Sequence, residues 1–204
     1  MTTRPRTATP VLVIDTSTDY IEHIRINFPD RAIFVTSPAE RDKGKEQPPP
    51  PWQELIIPME PPEVVLEGIL SHLDRYGMEA AGVACFDDES MHISALIARI
   101  LGLPYPDPDA VLRCRCKLRS KQIWQETGID CPSCREVTSA TGATDFLMQY
   151  GTTVLKPLTG AGSGLLFICQ TADECAKAFQ TIRKRLAAMP DERMYSPYML
   201  DGRQ

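Results

Sequence analysis

Short apolar runs alternate with amphipathic helical patterns along the first hundred residues. The apolar runs have the length and composition of buried strands, and they are Val11–Asp15, Arg31–Pro38, Glu54–Pro58 and Ala80–Phe86. Consecutive strands that are separated by helices usually pair in parallel, because the crossover helix brings the chain back to the end of the sheet at which the preceding strand began. The alternation therefore predicts an α/β domain over residues 1–105, with a parallel sheet and helices on its faces.

The helical segments carry start and stop signals. Thr and Ser residues in "TSTDY" can cap a helix over Tyr20–Asn27, and Asp87–Gly102 has the pattern of a capped helix with a glycine stop. Residues 62–77 also have helical spacing, and their predicted apolar side consists of Val64, Val65, Ile69, Leu70 and Leu73. Residues 39–53 are charged and then proline-rich, which predicts an exposed extended loop.

The overall composition limits the partners. With 43% hydrophobic and 24% charged residues the chain is typical of a soluble globular protein, and its net charge of −5 gives no basis for non-specific attraction to nucleic acid or anionic lipid. Charge or proline interrupts every long apolar run, so no membrane span is predicted. The N-terminus lacks the apolar stretch of a signal peptide, and an odd number of cysteines, seven, indicates reduced thiols, so we expect a cytoplasmic protein.

Four of the seven cysteines form two close pairs, Cys114 with Cys116 and Cys131 with Cys134. Two such pairs can hold zinc in a tetrahedral thiolate site. The intervening residues 117–129 instead have the pattern of an amphipathic helix with Leu118, Ile123 and Trp124 on its apolar side, and such a helix would keep the pairs apart. Buried or half-buried thiols are therefore favoured, and metal binding by this set stays open.

The usual phosphate-binding motifs of α/β proteins do not occur. There is no GxGxxG after the first strand and no GxxxxGK[ST] anywhere, which leaves a dinucleotide fold or a P-loop poorly supported. Asp87 and Asp88 follow the fourth strand, where such sheets tend to bind ligands, but we interpret them as caps of the next helix because caps are far commoner. The three histidines, His23, His72 and His92, lie on predicted helices and are interpreted as satisfied or exposed.

The second half of the chain has a different pattern. Linking helices are predicted over residues 106–130, and another helix over Ser139–Gly151. Thr152–Leu158 and Ser163–Cys169 then predict two strands of a hairpin, followed by a long capped helix from Thr171. A last extended piece begins at Arg193.

The tip of the predicted hairpin carries Lys156 and three closely spaced glycines, Gly160, Gly162 and Gly164. Because no side chains obstruct the tip, successive backbone N–H groups can face an anion, and Lys156 adds a point charge. This combination suits the β- and γ-phosphates of a nucleotide. The residues alone allow a plain glycine hairpin beside a surface lysine equally well.

The order of the motifs resembles the first half of the ATP-grasp superfamily. The matching residues are "LGLPYPDPDAVLRCRCKLRSKQIWQETGIDCP" from Leu101 and "VLKPLTGAGSGLLF" from Val154. The resemblance implies an α/β fold, with a parallel-sheet pre-ATP-grasp domain, linking helices, and an α+β lid subdomain over residues 131–190 that contains the glycine-rich hairpin. Residues 191–204 would begin the nucleotide hinge strand, and the metal-binding half of the family would lie beyond this chain.

The resemblance also implies roles for particular residues. The two lysines that would contact the phosphates of ATP are Lys117 and Lys156. The mobile loop that would close over them consists of Thr159, Gly160, Ala161, Gly162, Ser163 and Gly164. The hinge residues that would face adenine are Tyr195, Ser196 and Tyr198. The sequence departs from the family at Ser196 and Pro197, where acidic or amide residues are usual, and at Cys116, where Asp is usual.

The function that the resemblance implies is that of an ATP-dependent carboxylate–amine ligase. In such an enzyme the γ-phosphate passes to a carboxylate, and an amine displaces phosphate from the resulting acyl phosphate. Its ligands would be ATP, Mg²⁺ held by residues outside this chain, and a small-molecule carboxylate and amine, with a C-terminal half or partner subunit to complete it. Two alternatives stay open: a non-catalytic nucleotide-binding module with a degenerate ATP-grasp fold, and a protein-interaction module that uses Pro48–Pro51.

Overall fold

The chain forms two compact units that divide between Val111 and Leu112. Its structure, a computed structural model, describes residues 9–189 and 193–195. Each unit has its own sheet and its own apolar core. Within the described residues, every helix is too short or too polar to cross a bilayer.

The first unit contains a four-stranded sheet. Its strands are β1 (Val11–Ile14), β2 (Ala32–Thr36), β3 (Glu54–Ile56) and β4 (Gly82–Cys85). Its helices are α1 (Thr18–Asn27), α2 (Pro38–Lys43), α3 (Pro62–Arg75) and α4 (Met91–Leu101), and a short 3-10 turn over Asp88–Ser90 precedes α4. A further helix, α5 (Pro108–Arg115), contains the point of division between the units.

The four strands are all parallel and lie in the order β3-β2-β1-β4. Val11 of β1 is opposite Ala32 of β2 on one side and Gly82 of β4 on the other. Phe34 of β2 is opposite Glu54 of β3. The parallel α/β sheet that the alternating pattern predicts is therefore confirmed.

Successive residues of β1 enter apolar cores on opposite faces of this sheet. Leu12 and Ile14 pack into a core with Ile69 of α3, whereas Val13 packs into a second core with Ile21 of α1. A strand that is covered on both faces has no polar side, which is why β1 reads as a continuous apolar run. Each such buried side chain stabilises the fold by about 1.5–3 kcal/mol relative to an exposed one.

The prediction of an exposed extended loop over residues 39–53 is wrong at both ends. The first end forms α2, because the Ser37 side chain caps it by accepting a hydrogen bond from the Glu40 N–H at 3.1 Å. At the other end Trp52 is only 7% exposed and belongs to the larger core of the unit. The composition of the segment did not predict either feature, because the cap depends on one serine before the segment and the burial depends on one tryptophan at its end.

Two smaller expectations about the first unit are confirmed only in part. Val64 and Leu70 are 42% and 45% exposed, because the buried stripe of α3 follows a four-residue spacing that leaves them beside it. Asp87 stands at the cap position of the 3-10 turn, but its side chain makes no capping hydrogen bond. Ser90 instead connects this turn to the end of β1, since its Oγ donates to Oδ2 of Asp15 at 2.6 Å.

The second unit combines a hairpin with helices. Its elements are α6 (Lys117–Glu126), α7 (Ala140–Tyr150), β5 (Thr153–Leu155), β6 (Phe167–Cys169) and α8 (Ala172–Ala187). The two strands are antiparallel, with Val154 opposite Ile168. Leu147 of α7, Cys169 of β6 and Ala178 of α8 belong to one apolar core. The α+β hairpin arrangement is the one predicted.

The predicted capped start of α8 is confirmed. Thr171 Oγ1 accepts a hydrogen bond from the Glu174 N–H at 3.3 Å, and Glu174 Oε2 accepts one from the Thr171 N–H at 3.1 Å. This capping box satisfies two backbone donors that the helix itself cannot satisfy. It fixes the point at which the chain leaves β6 and enters α8.

Both strands of the hairpin are shorter than predicted, and β5 ends one residue before Lys156. Pro157 has no N–H to donate to a partner strand. The carbonyl oxygen of Leu158 accepts a hydrogen bond from the Lys117 N–H at 2.9 Å. Lys156 therefore follows the strand instead of lying on it, and the connecting loop extends over residues 156–166.

Candidate functional site

Lys117 is the first residue of α6, and it contacts the glycine loop, which we define as residues 159–164. Its N–H donates to the Leu158 carbonyl oxygen at 2.9 Å, and its Nζ donates to the Gly160 carbonyl oxygen at 2.6 Å. An N–H in the first turn of a helix needs a partner from outside the helix, and Leu158 supplies it. The structure thus brings together two predicted elements that lie 43 residues apart in the chain.

Ser120 and Cys116 fix the start of α6. The Ser120 hydroxyl lies 2.8 Å from the Arg113 carbonyl oxygen and 3.1 Å from that of Cys116, so it links the end of α5 to the start of α6. Cys116 is 4% exposed and packs as a small apolar side chain. Sequence reasoning missed Ser120, because nothing in the local pattern distinguishes it from an ordinary polar helical residue.

The glycine loop is folded back on itself. The Gly164 N–H donates to the Ala161 carbonyl oxygen, and the Leu166 N–H donates to the Ser163 carbonyl oxygen, both at 3.3 Å. Ser163 and Leu165 have φ values of 59° and 57°, a left-handed conformation that costs an L residue about 1 kcal/mol or more. Such a conformation persists only where neighbouring contacts hold it in place.

Tyr195 packs against two glycines of this loop. A Cβ atom added to Gly160 would lie 2.7 Å from Cε1 of the Tyr195 ring, and one added to Gly164 would overlap the Tyr195 hydroxyl. The adjacent carbonyl oxygen of Met194 accepts a hydrogen bond from Arg115 Nη2 at 3.3 Å. Two of the three loop glycines therefore leave room for one aromatic ring.

A cavity of about 890 Å³ lies in the second unit, and both predicted lysines line it. Its walls come from α6, residues 132–138, α7, β5, residues 156–158 and α8. Lys117 reaches it from the start of α6, and Lys156 from the end of β5. The glycine loop and Tyr195 are not among its lining residues, and the loop is connected to it through the bond between Lys117 and Gly160.

The remaining predicted residues differ in their surroundings. Thr159 is 8% exposed, whereas Gly162 and Ser163 are exposed at the tip of the loop. Ser196 and Tyr198 lie outside the described residues. The structure accordingly connects Lys117 and Tyr195 to the glycine loop by direct contacts, and it brings Lys117 and Lys156 to one cavity.

The cavity is strongly basic. Five cationic side chains line it, against the single carboxylate of Glu136, and they are Lys117, Lys121, Arg135, Lys156 and Arg183. The whole chain has a net charge of −5, so this positive charge is a local concentration and not a property of the composition. A concave site lined with one sign of charge attracts ligands of the opposite sign.

Sequence reasoning missed three of these cations. Lys121 lies one helical turn after the predicted lysine of α6, and that spacing was the available signal. Arg135 lies 5.4 Å from the ring centroid of Phe146, and Arg183 lies 6.0 Å from that of Phe179, both within the range of a cation–π contact. No local pattern marks these two arginines, because the cavity forms only when α7 and α8 pack together.

Within the described residues, no three His, Cys, Asp or Glu side chains are grouped so that they could hold a metal ion. The cysteines of the second unit therefore form no metal centre there.

Cys114 is exposed, against the expectation of buried or half-buried thiols, whereas Cys131 and Cys134 are half-buried. Burial, together with the neighbouring thiol of Cys175, raises the pKa of Cys169 to about 11. That thiol is therefore neutral at pH 7.

No protein-family model matches the sequence. A curated protein is similar to part of it: the uncharacterized protein y4rH of Sinorhizobium fredii (strain NBRC 101917 / NGR234) is 29% identical over 115 residues. The similarity covers 55% of this chain and 24% of that protein. The chain therefore spans about a quarter of the length of this relative.

Three solved structures show the fold. L-amino acid ligase from Bacillus licheniformis has a TM-score of 0.60 at 18% identity, over 90% of this chain and 43% of that one. Biotin carboxylase from Campylobacter jejuni, in a beta-gamma-ATP complex, has a TM-score of 0.60 at 16% identity, over 88% and 43%. N5-carboxyaminoimidazole ribonucleotide synthetase from Thermus thermophilus has a TM-score of 0.55 at 17% identity, over 84% and 44%. The chain shares the fold of these ATP-grasp structures over less than half of their length, as the motif order predicts.

Proposed function

Starting from the ATP-grasp fold, we propose that this chain supplies the ATP phosphate-binding part of an ATP-dependent carboxylate–amine ligase. The convergence of Lys117 and Lys156 on one basic cavity is the observation that supports this function most. The solved structures of the same fold include an L-amino acid ligase and a biotin carboxylase in a nucleotide complex, which supports the reaction class. Because the chain spans about 43% of those proteins, we assign the complete reaction to the whole protein.

The cavity suits the polyphosphate of a nucleotide. A triphosphate carries several negative charges, and ammonium and guanidinium groups bind phosphate oxygens through charge-assisted hydrogen bonds. Lys117 and Lys156 both line the cavity, and in this proposal they contact the same polyphosphate. The apolar rings of Phe146 and Phe179 also line the cavity, and each contacts one of its arginines, Arg135 and Arg183 respectively.

The glycine loop would close over the phosphates. Because Lys117 Nζ holds the Gly160 carbonyl oxygen, a phosphate that engages Lys117 also changes a contact of the loop. Residues Thr159 through Gly164 then act as a cover that excludes water from the transferring group. The predicted hinge of Tyr195, Ser196 and Tyr198 beside adenine stays part of this proposal.

The reaction of the whole protein would proceed through an acyl phosphate. The γ-phosphate passes to a substrate carboxylate, and an amine then displaces phosphate, while Lys117 and Lys156 offset the charge of the nucleotide. The family implies Mg²⁺, but the described residues do not fit a magnesium site, since Glu136 is the one carboxylate on the cavity wall and no acidic group of three is present. No step assigned to this chain depends on the metal.

Thermal unfolding with and without ATP tests the proposed function. ATP at a hundred times its dissociation constant should stabilise the native chain by about 2.7 kcal/mol. Lys117→Ala and Lys156→Ala should each weaken binding roughly tenfold or more, because each removes a charge-assisted hydrogen bond. Lys177→Ala is the matched control, since Lys177 is 74% exposed, pairs with Asp173 at 2.7 Å and does not line the cavity. A wild-type chain that does not respond to ATP, or cavity variants that respond like the control, would contradict the function.

A non-catalytic nucleotide-binding module is the second candidate. The buried thiol of Cys116, at a position where the family has Asp, favours it. The two candidates differ in turnover: with a mixture of amino acids as carboxylates and amines, the whole ligase releases ADP, whereas the module binds ATP without hydrolysing it. The protein-interaction alternative is less favoured, because Pro49 of its proline-rich segment is buried. The seven free cysteines fit a cytoplasmic setting for either candidate.

A further inference from the structure

We propose that Tyr195 is a latch, a positioning residue that holds the glycine loop in a self-bonded conformation which a nucleotide must release. The proposal rests on the proposed function, in which the loop covers the phosphates of ATP. It gives Tyr195 a role on the loop, in addition to or in place of a contact with adenine. The latch lowers the apparent affinity for ATP, because only the released loop can bind phosphate.

The contact between Tyr195 and the loop is specific. A Cβ atom on Gly160 would lie 2.7 Å and 3.0 Å from two atoms of the Tyr195 ring, and a Cβ atom on Gly164 would overlap the hydroxyl of the same side chain. By contrast, a Cβ atom on Gly162 would meet nothing within 4 Å. The ring therefore packs against the two ends of the glycine segment and leaves its centre open.

The groups that would bind phosphate are engaged in this conformation. The N–H groups of Gly164 and Leu166 donate to carbonyl oxygens of the loop itself, at 3.3 Å in both cases. Lys117 Nζ donates to the Gly160 carbonyl oxygen. A phosphate can use these donors only by exchanging the loop carbonyls for its own oxygens, so the loop conformation beneath Tyr195 competes with binding.

The position of Tyr195 is set from outside the loop. Arg115 Nη2 donates to the carbonyl oxygen of Met194, the residue before the tyrosine. This hydrogen bond ties the turn over residues 193–195 to α5. The backbone beside Tyr195 is therefore anchored to α5, and in the proposed latch the loop is the part that moves away from the ring.

One pair of substitutions tests the latch. Gly164 does not have a positive φ, so Gly164→Ala adds a methyl group without backbone strain, and the methyl group overlaps the Tyr195 hydroxyl. The next atoms that the methyl group would meet are the Ala161 carbonyl oxygen and Tyr195 Cζ, both at an ordinary 3.6 Å. Tyr195→Phe removes the hydroxyl, so the double variant has room for both side chains.

The first readout is rapid hydrogen exchange of the amides of residues 160–166, without nucleotide. We expect Gly164→Ala to raise their exchange rates several-fold and the double variant to return them to the rates of Tyr195→Phe alone. The second readout is calorimetric titration with ATP. We expect Gly164→Ala to bind ATP several-fold more tightly than the wild type, and the double variant to lose most of that gain.

Three outcomes would overturn the latch. Unchanged exchange in Gly164→Ala, or a double variant that does not recover, would show that Tyr195 does not hold the loop. Weaker ATP binding in Gly164→Ala, with faster exchange, would show that the contact prepares the loop for the nucleotide instead of opposing it. If amide exchange follows the predicted pattern but neither the wild type nor any variant binds ATP, the proposed function is contradicted. The contact between Tyr195 and the loop would then be only structural.

Discussion

Lys117 Nζ donates a hydrogen bond of 2.6 Å to the carbonyl oxygen of Gly160, and this bond joins the first turn of α6 to the glycine loop. The backbone N–H of Lys117 adds a second link, to Leu158 at 2.9 Å. Because the same side chain lines the basic cavity, it lies between the place where an anion would bind and the segment that would cover it. Under the proposed function, binding in the cavity and movement of the loop are coupled through one ammonium group.

Lys117→Ala should destabilise the second unit. The substitution removes a partly buried hydrogen bond from a charged donor, and we expect a loss of about 1–2 kcal/mol in the free energy of unfolding. Urea unfolding followed by circular dichroism measures this loss. Lys121→Ala, on the same helix and also lining the cavity, is the control and should cost less than about 0.5 kcal/mol. Equal losses in the two variants would mean that the bond to Gly160 contributes nothing to stability.

Arg183→Ala should weaken ATP binding about threefold, because it removes one positive charge from the wall of the cavity at a solvent-accessible position. The effect should shrink as ionic strength rises, since salt screens such interactions. Arg185→Ala is the matched control: it lies on α8 two residues further on, is exposed, and does not line the cavity. Titration calorimetry at low and high salt compares the two variants, and the same affinity in both would argue against a charge effect located in the cavity.

Thr171→Ala should cost about 1 kcal/mol of stability, because it removes the side chain that caps α8. The control is Thr181→Ala in the middle of the same helix, where the hydroxyl donates to the Lys177 carbonyl oxygen, an acceptor that the helix already satisfies. Urea unfolding of both variants gives the comparison. If the mid-helix substitution costs as much as the cap substitution, the capping box is not what stabilises the start of α8.

His72 should make the stability of the chain depend on pH. Burial is the main cause that lowers the pKa of His72 below its ordinary value of 6.5. The hydrogen bond to the Trp52 carbonyl oxygen raises this pKa and so opposes the effect of burial, whereas the charge of Arg75 lowers it further. The unfolded chain then binds the proton more tightly than the folded chain. The stability contributed by neutral His72 is therefore complete above pH 6.5 and is lost as the pH falls below it.

The corresponding measurement is the free energy of unfolding between about pH 7.5 and about pH 5.5, the range in which an ordinary histidine titrates. His72→Gln should flatten the decline with falling pH. An unaltered slope in His72→Gln would assign the decline to other groups.

Local patterns were sufficient to predict the regular elements whose signals are themselves local. The apolar run around Leu12 marked a strand that is covered on both faces, and Thr171 with Glu174 marked the start of α8. The burial of Trp52 could not be predicted in this way, because it depends on side chains of strands and helices that are distant in the sequence. Ser37 is a local signal for the start of α2, but the charged composition of the following residues led to the prediction of a loop.

The same distinction holds at the candidate site. Lys117 and Lys156 were predicted because the order of the motifs that contain them resembles that of a known family. The structure brings both lysines to one cavity. Arg135 and Arg183 belong to no such motif, and they line the cavity because α7 packs against α8. The contact of Tyr195 with Gly160 is equally non-local, since 35 residues separate the ring from the glycine and no pattern in between records their approach.

Amide chemical-shift mapping with ATP tests the central claim, that the basic cavity of the second unit binds the nucleotide. We predict that saturating ATP shifts amide resonances of residues 117–121, 132–138, 153–158 and 179–186, which are four of the segments that line the cavity. Resonances of the first unit should change little. The account would be contradicted if saturating ATP left these four segments unchanged, or if the shifts were confined to residues 9–111.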